Sequence, residues 1–101
     1  MNIKINSIHF NLDKKLVDFI ESKVEKLSHY SDDILAAEVH LSLERSQQKN
    51  VDTKVTKIKL EIPGYDLFAE KMAGTFEEAT DSAIEALKRQ IGKRKEKTIN
   101  K

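Results

Sequence analysis

The amino-acid sequence predicts a two-layer α+β domain of order β-α-β-β-β-α, a four-stranded sheet with two helices on one of its faces. Three observations predict it. Apolar and polar residues alternate with period two in three short segments. Two longer segments carry an apolar stripe at the helical period. Pro63-Gly64 supplies the fixed φ and the positive φ of a type II turn, folding the third strand back into a fourth. The opening strand-helix-strand unit crosses over right-handed, and the hairpins that follow extend the sheet. Both helices then cover one face and the polar alternates leave the other to water. At 101 residues the chain has room for one such domain, from residue 1 to 101, with no linker and no internal repeat.

Ile3 and Ile5 alternate with Lys4 and Asn6, so residues 2 to 8 form a strand with one buried face. Asp13 offers a carboxylate to the first free amides of a helix, with Leu12 and Val17 at staple spacing around it. That helix runs to about Tyr30 and presents Leu16, Ile20, Val24 and Leu27 as one stripe. Ala37, Val39, Leu41 and Leu43 alternate with Glu38, His40, Ser42 and Glu44 as a half-buried strand. Ser46 to Asp52 is polar and reads as a loop; Ile58, Leu60 and Ile62 form the third strand. In the fourth, about Tyr65 to Met72, Leu67 and Ala69 are expected to face inward in preference to Phe68 and Met72. Thr75 and Glu78 sit at capping-box spacing before a second helix whose buried stripe is Phe76, Ala79, Ala83, Ile84, Leu87 and Ile91.

Composition excludes several function classes. The chain has no cysteine, so disulfides, thiol nucleophiles and zinc knuckles are absent, and a reducing, cytoplasmic setting is expected. The longest uninterrupted apolar stretch is Ile34 to Ala37, far below the roughly 20 residues of a membrane helix. Met1 to Phe10 has no signal-peptide h-region. His9, His29 and His40 lack metal-ligand spacing, the glycines form no phosphate loop, and no nucleophile motif occurs. No catalytic residue, metal, cofactor, membrane or small-molecule substrate is expected.

The net charge of +1 conceals an asymmetry. Residues 88 to 101 carry seven basic side chains against one acidic, a net +6, whereas residues 1 to 87 carry eleven against sixteen, a net −5. On the first helix Lys15, Lys23 and Lys26 fall along one flank of the apolar stripe, with Asp18, Glu21 and Glu25 along the other; Lys14 lies with the acids, so the separation is partial. On the second, Arg89, Lys93 and Lys97 are spaced by four, Lys88 and Lys95 take another flank, and Arg94 prolongs the stripe. A solvated helix end with a Glu85 and Arg89 i,i+4 pair explains part of this. Charge segregated on two helices fits a row of phosphates better, provided the two basic edges converge into one surface. With six aromatic residues and no aromatic ladder on any strand, structured RNA read through phosphates and shape is the expected polyanion.

Lys23-Val24-Glu25-Lys26-Leu27-Ser28-His29-Tyr30 resembles the first-helix pattern of a known family, a basic residue, two spacers, Lys-Leu, two spacers and an aromatic. Ala79-Thr80-Asp81 followed by Leu87-Lys88-Arg89-Gln90-Ile91-Gly92-Lys93 is similar to that family's second-helix signature. The family is the ribosome hibernation promoting factors, also called ribosome-associated inhibitor or ribosomal subunit interface proteins. The resemblance implies a fold similar to double-stranded RNA-binding domains. It also implies a protein that occupies the decoding region of the small ribosomal subunit and blocks mRNA and tRNA without catalysis. Its RNA-contacting positions fall on Lys23, Lys26, Arg89 and Lys93, to which the charge pattern adds Lys88, Arg94, Lys95 and Lys97. A further basic position of the family falls on Ala86, and the Ser46 to Lys54 loop is several residues longer than the family's. The chain resembles the short form, without a C-terminal dimerisation domain and with a basic tail from about residue 94 that can stay disordered. Pairing of ribosomes would then need a separate ribosome-dimerising factor. Two other readings stay open. One is a generic structured-RNA-binding protein; the other is a protein-interaction module whose sheet face, around His40 and Ser42, meets a transcription regulator such as a sigma factor.

Overall fold

A computed structural model describes residues 1–8, 10–45 and 52–99, with the side chains of Arg45, Asp52 and residues 94–99 outside that description. The elements are β1 (Asn2–Ser7), α1 (Lys14–Glu25), a 3₁₀ turn (Lys26–His29), β2 (Ala36–Arg45), β3 (Asp52–Ile62), β4 (Tyr65–Ala73) and α2 (Phe76–Ile99). The sheet order is β1-β2-β3-β4, with β1 parallel to β2 and both hairpins antiparallel. This is the architecture the alternation and the two stripes predict.

Cross-strand register places the apolar residues on one side. Ala37 and Val39 of β2 lie opposite Leu60 and Ile58 of β3, which in turn lie opposite Leu67 and Ala69 of β4. Against them pack Ile20, Val24 and Leu27 of the first helical segment and Phe76, Ala83, Ile84, Leu87 and Ile91 of α2. Both helices therefore cover one face, α2 over β3 and β4 with α1 beside it. Phe10 stacks on Phe76 with ring centroids 5.1 Å apart, tying the segment after β1 to the start of α2.

The helix ends form as their sequences require. The Asp13 carboxylate accepts from the Lys15 amide at 3.3 Å, and Thr75 Oγ1 accepts from the Glu78 amide at 3.1 Å. At the other end of α1, Ser28 Oγ donates to the Glu25 carbonyl at 2.7 Å where the helix tightens into the 3₁₀ turn. The expected single helix to Tyr30 is thus an α-helix finished by a 3₁₀ turn. Ile62 pairs with Tyr65, leaving Pro63 and Gly64 at the centre of the turn, and Gly64 adopts φ +88° as a type II turn demands. Gln90 Nε2 of α2 donates to the Phe68 carbonyl at 2.9 Å, satisfying an outward group of the β4 edge.

The start of β3 and the burial around it differ from expectation. β3 begins at Asp52, so Asp52, Thr53 and Lys54, expected in the loop, pair with Arg45, Glu44 and Leu43. Strand propensity in Thr53, Val55 and Thr56 carries the ladder past the alternating apolar run; the rest of the expected loop, residues 46–51, lies outside the described residues. Leu43, expected in the core, is exposed, because it stands opposite Lys54 beyond the Leu41 and Thr56 pair. Thr56 itself is covered by α2, its hydroxyl 3.4 Å from that of Thr80. Val55 is fully buried on the open side of the sheet, between Ser42 and Met72. The β4 register is the expected one: Leu67 and Ala69 are buried, whereas Phe68 and Met72 are 51% and 59% exposed.

Leu87 anchors α2 at the centre of the core and is fully buried. Leu87→Ala is expected to cost about 2–5 kcal/mol, lowering the urea midpoint at an unchanged m-value. An undiminished midpoint would mean that α2 is not seated as described.

Candidate nucleic-acid interface

The seat of α2 decides which way its charges face. With Ala83, Leu87 and Ile91 on the sheet, the helical angle turns Ile84 and Lys88 toward α1 and leaves Arg89 and Ser82 exposed to solvent on the β4 side. Asp81 and Glu85 fall between those two directions. The basic flank of α1 is the one that meets α2, so Lys23 reaches across and its Nζ lies 3.4 Å from Asp81 Oδ1.

Two depressions result, one on each side of the acidic ridge. Lys23, Lys26, Asp81, Ile84, Glu85 and Lys88 line a groove of about 370 Å³ between the helices. Lys71, Asp81, Ser82, Glu85 and Arg89 line the neighbouring cleft between α2 and β4. In the groove Lys23 Nζ also lies 5.4 Å from the Phe19 ring centroid, and Lys88 Nζ lies 5.2 Å from that of Tyr30. Lys88 Nζ is 3.3 Å from Glu85 Oε1. The hydrogen bond to Glu85 holds the Lys88 ammonium above the ordinary lysine pKa, with desolvation opposing it and Tyr30 adding to it. Lys88 is therefore fully charged at neutral pH. Among the described residues Lys26, Arg89 and Lys93 form no ion pair.

The structure thus brings Lys23, Lys26 and Lys88 together and places Arg89 apart from them. Lys93 is exposed on the Arg89 side of α2, and the side chains of Arg94, Lys95 and Lys97 lie outside the described residues. The expected single basic surface is split, because Asp81 and Glu85 line both depressions. Glu85 pairs with Lys88 at i,i+3 and not with Arg89 at i,i+4 as the spacing suggested. Ala86, where the family pattern has a basic residue, is half-buried against the core.

Sequence reasoning missed Lys71. Period two was the available signal, since with Leu67 and Ala69 inward the next residue on the helix side is Lys71. It also missed the pairing of Lys23 with Asp81, which crosses between helices and has no local signature. His29 is exposed, His40 lies on the open sheet face opposite Lys57, and His9 is outside the described residues. Among the described residues no group of three or more potential ligands could hold a metal ion, and no helix is long and apolar enough to cross a membrane.

A model of the family described as sigma 54 modulation protein / S30EA ribosomal protein matches residues 3–99. A Pseudomonas putida protein named ribosome hibernation promoting factor is 28% identical over 97 residues, covering 96% of this chain and 89% of that protein. Among solved structures, a ribosomal subunit interface protein from Coxiella burnetii superposes with a TM-score of 0.82 at 17% identity, over 94% of this chain and 98% of that one. The N-terminal domain of Thermus thermophilus Protein Y superposes with a TM-score of 0.75 at 26% identity, over 90% and 96%.

If the lysines of the groove serve a ligand and not the fold, Lys23→Ala and Lys88→Ala will each move the urea midpoint far less than Leu87→Ala, since exposed ion pairs contribute little. A drop comparable to that of the core variant would mark them as structural ties.

Proposed function

The chain belongs to the sigma 54 modulation protein / S30EA ribosomal protein family, and we propose that it is a ribosome hibernation factor that silences translation by binding the small ribosomal subunit. In this reading it occupies the decoding region, holds ribosomal RNA phosphates with its helix layer, and blocks mRNA and tRNA with its body. No chemical step is involved, and the work is done by binding alone. Its setting is the cytoplasm, with the small subunit and its RNA as partners and a ribosome-dimerising factor as a second partner.

The observation that carries the reading is the family match over residues 3–99, since Asp81 and Glu85 divide the single basic surface expected from the charge pattern. The cations around α2 are where RNA contact is proposed. Lys23, Lys26 and Lys88 line the groove on one side of α2, and Arg89 and Lys71 line the cleft on the other. Phosphates along an RNA backbone can engage such a set together, whereas one acidic side chain of a protein partner can satisfy only part of it. Lys93, Arg94, Lys95 and Lys97 extend the basic run along the same helix.

A protein-docking alternative draws on the open sheet face, where Phe68 and Met72 stand exposed. Binding there would survive nuclease treatment and depend on Phe68, not on Arg89.

Co-sedimentation with purified small subunits is the direct test. Arg89→Glu combined with Lys93→Glu is expected to leave the fold intact and abolish co-sedimentation; undiminished binding would refute the site. For about six neutralised phosphates, log K should fall against log salt with a slope of about −4 to −5. A flat response would mean that phosphate contacts do not drive the association.

A further inference from the structure

Asp81 and Glu85 are not explained by the stability of the fold. Their side chains are 53% and 65% exposed, so their ion pairs contribute little. They sit well inside α2, beyond the first turn where Glu77 and Glu78 already complement the helix dipole. Aspartate is also among the poorer helix formers at an interior position. Yet these two carboxylates are the side chains common to the groove and the cleft.

We infer that Asp81 and Glu85 are selectivity determinants, which hold the cations around α2 back from loosely matched polyanions and yield only to RNA that spans both depressions. The inference rests on the reading that this helix layer meets RNA phosphates. Charge counting gives the mechanism. The groove alone sets Lys23, Lys26 and Lys88 against two carboxylates, a net +1, and the cleft alone sets Lys71 and Arg89 against the same two, a net of zero. A ligand that enters one depression therefore gains little. A backbone bridging the ridge meets five cations against two anions, a net +3, because the shared carboxylates count once. Because Asp81 and Glu85 line both depressions, each depression feels the same two anions. Lys23 and Lys88 must in addition exchange a carboxylate at 3.4 Å or 3.3 Å for a phosphate. That exchange penalises a ligand with a single well-placed phosphate and is offset only when several are engaged together.

The test compares the wild-type chain with the isosteric variant Asp81→Asn combined with Glu85→Gln. Each is titrated with purified small ribosomal subunits and with an unrelated RNA duplex at physiological salt. Duplex affinity is expected to rise about tenfold while subunit affinity changes much less, so that discrimination between the two collapses. Glu77→Gln with Glu78→Gln removes two charges from the same helix outside both depressions and should leave duplex affinity near the wild-type value. A duplex affinity that is unchanged or lowered by the first variant would overturn the inference. So would an equal gain from the second, which would assign the effect to net charge. Loss of subunit binding with no gain on duplex would make the ridge a docking contact for a basic partner, again overturning it. Were the wild-type chain to ignore small subunits altogether, the hibernation reading would fall, and the duplex comparison would still decide what the two carboxylates do.

Discussion

The seat of α2 on β3 and β4 is the constraint from which the rest of the molecule follows. Phe76, Ala79, Ala83, Leu87 and Ile91 bury one stripe of the helix, and two of those five are alanines that let it lie close to the sheet. Close packing fixes the rotation of a helix about its own axis, because each residue advances 100° and a one-residue slip would expose the stripe. Everything polar on α2 is positioned by that rotation. Lys88 turns toward α1 because Leu87 faces the sheet; Arg89, a further 100° round, is exposed to solvent on the β4 side of the helix. The apolar core thus does more than hold the layers together, since it aims the charges.

The same geometry shows why neighbouring basic residues in the sequence differ in their surroundings. Lys88 is engaged on several sides, by Glu85 and by the Tyr30 ring, and Lys23 by Asp81 and the Phe19 ring. Arg89 and Lys93 have no such partners among the described residues and stand exposed. Aromatic faces beneath the two lysines hold their ammonium groups over the groove without neutralising them. Carboxylates beside them do neutralise, in part. The resulting surface combines two pre-positioned cations with free ones nearby, an arrangement suited to a ligand that brings several anionic groups at defined spacing.

Much of this could be read from the residues alone, for reasons that are themselves local. Period two exposed the sheet, the 3.6-residue period exposed both helix stripes, and Asp13, Thr75 and Pro63-Gly64 punctuated them. Leu67 and Ala69 face inward, as the alternation predicts, because they continue the Ile58 and Leu60 side across the hairpin. What escaped was decided by tertiary neighbours. The start of β3 at Asp52 depends on pairing with Arg45, and the burial of Val55 depends on Ser42 and Met72 flanking it from either side. Neither has an apolar pattern to announce it. The site was half-readable in the same sense. The basic flanks follow from helical angles, but the intervening ridge follows from how two helices meet, which no spacing within one helix encodes. The basic residues on the two helices are therefore accessible from helical spacing, whereas Lys71 and the grouping of the cations are not.

The two faces of the molecule handle charge by different means, and the difference bears on which one a polyanion would meet. On the open sheet face opposite charges stand directly across the ladder: Glu38 and Lys59 form a bridge at 3.3 Å, and Lys57 lies opposite Glu70. The hydrogen bond to Glu38 holds the Lys59 ammonium above the ordinary value, so that cation is committed within its own face. Near the β3–β4 turn Glu61 stands opposite Asp66, a like-charge pair that leaves this end of the sheet acidic. A phosphate backbone approaching the sheet would meet cancelled pairs and then repulsion. At the groove and the cleft around α2 it would meet five cations divided by a ridge of two carboxylates. The local excess of cations thus lies at the two depressions beside α2, and Phe68 and Met72 stand on the opposite face of the sheet.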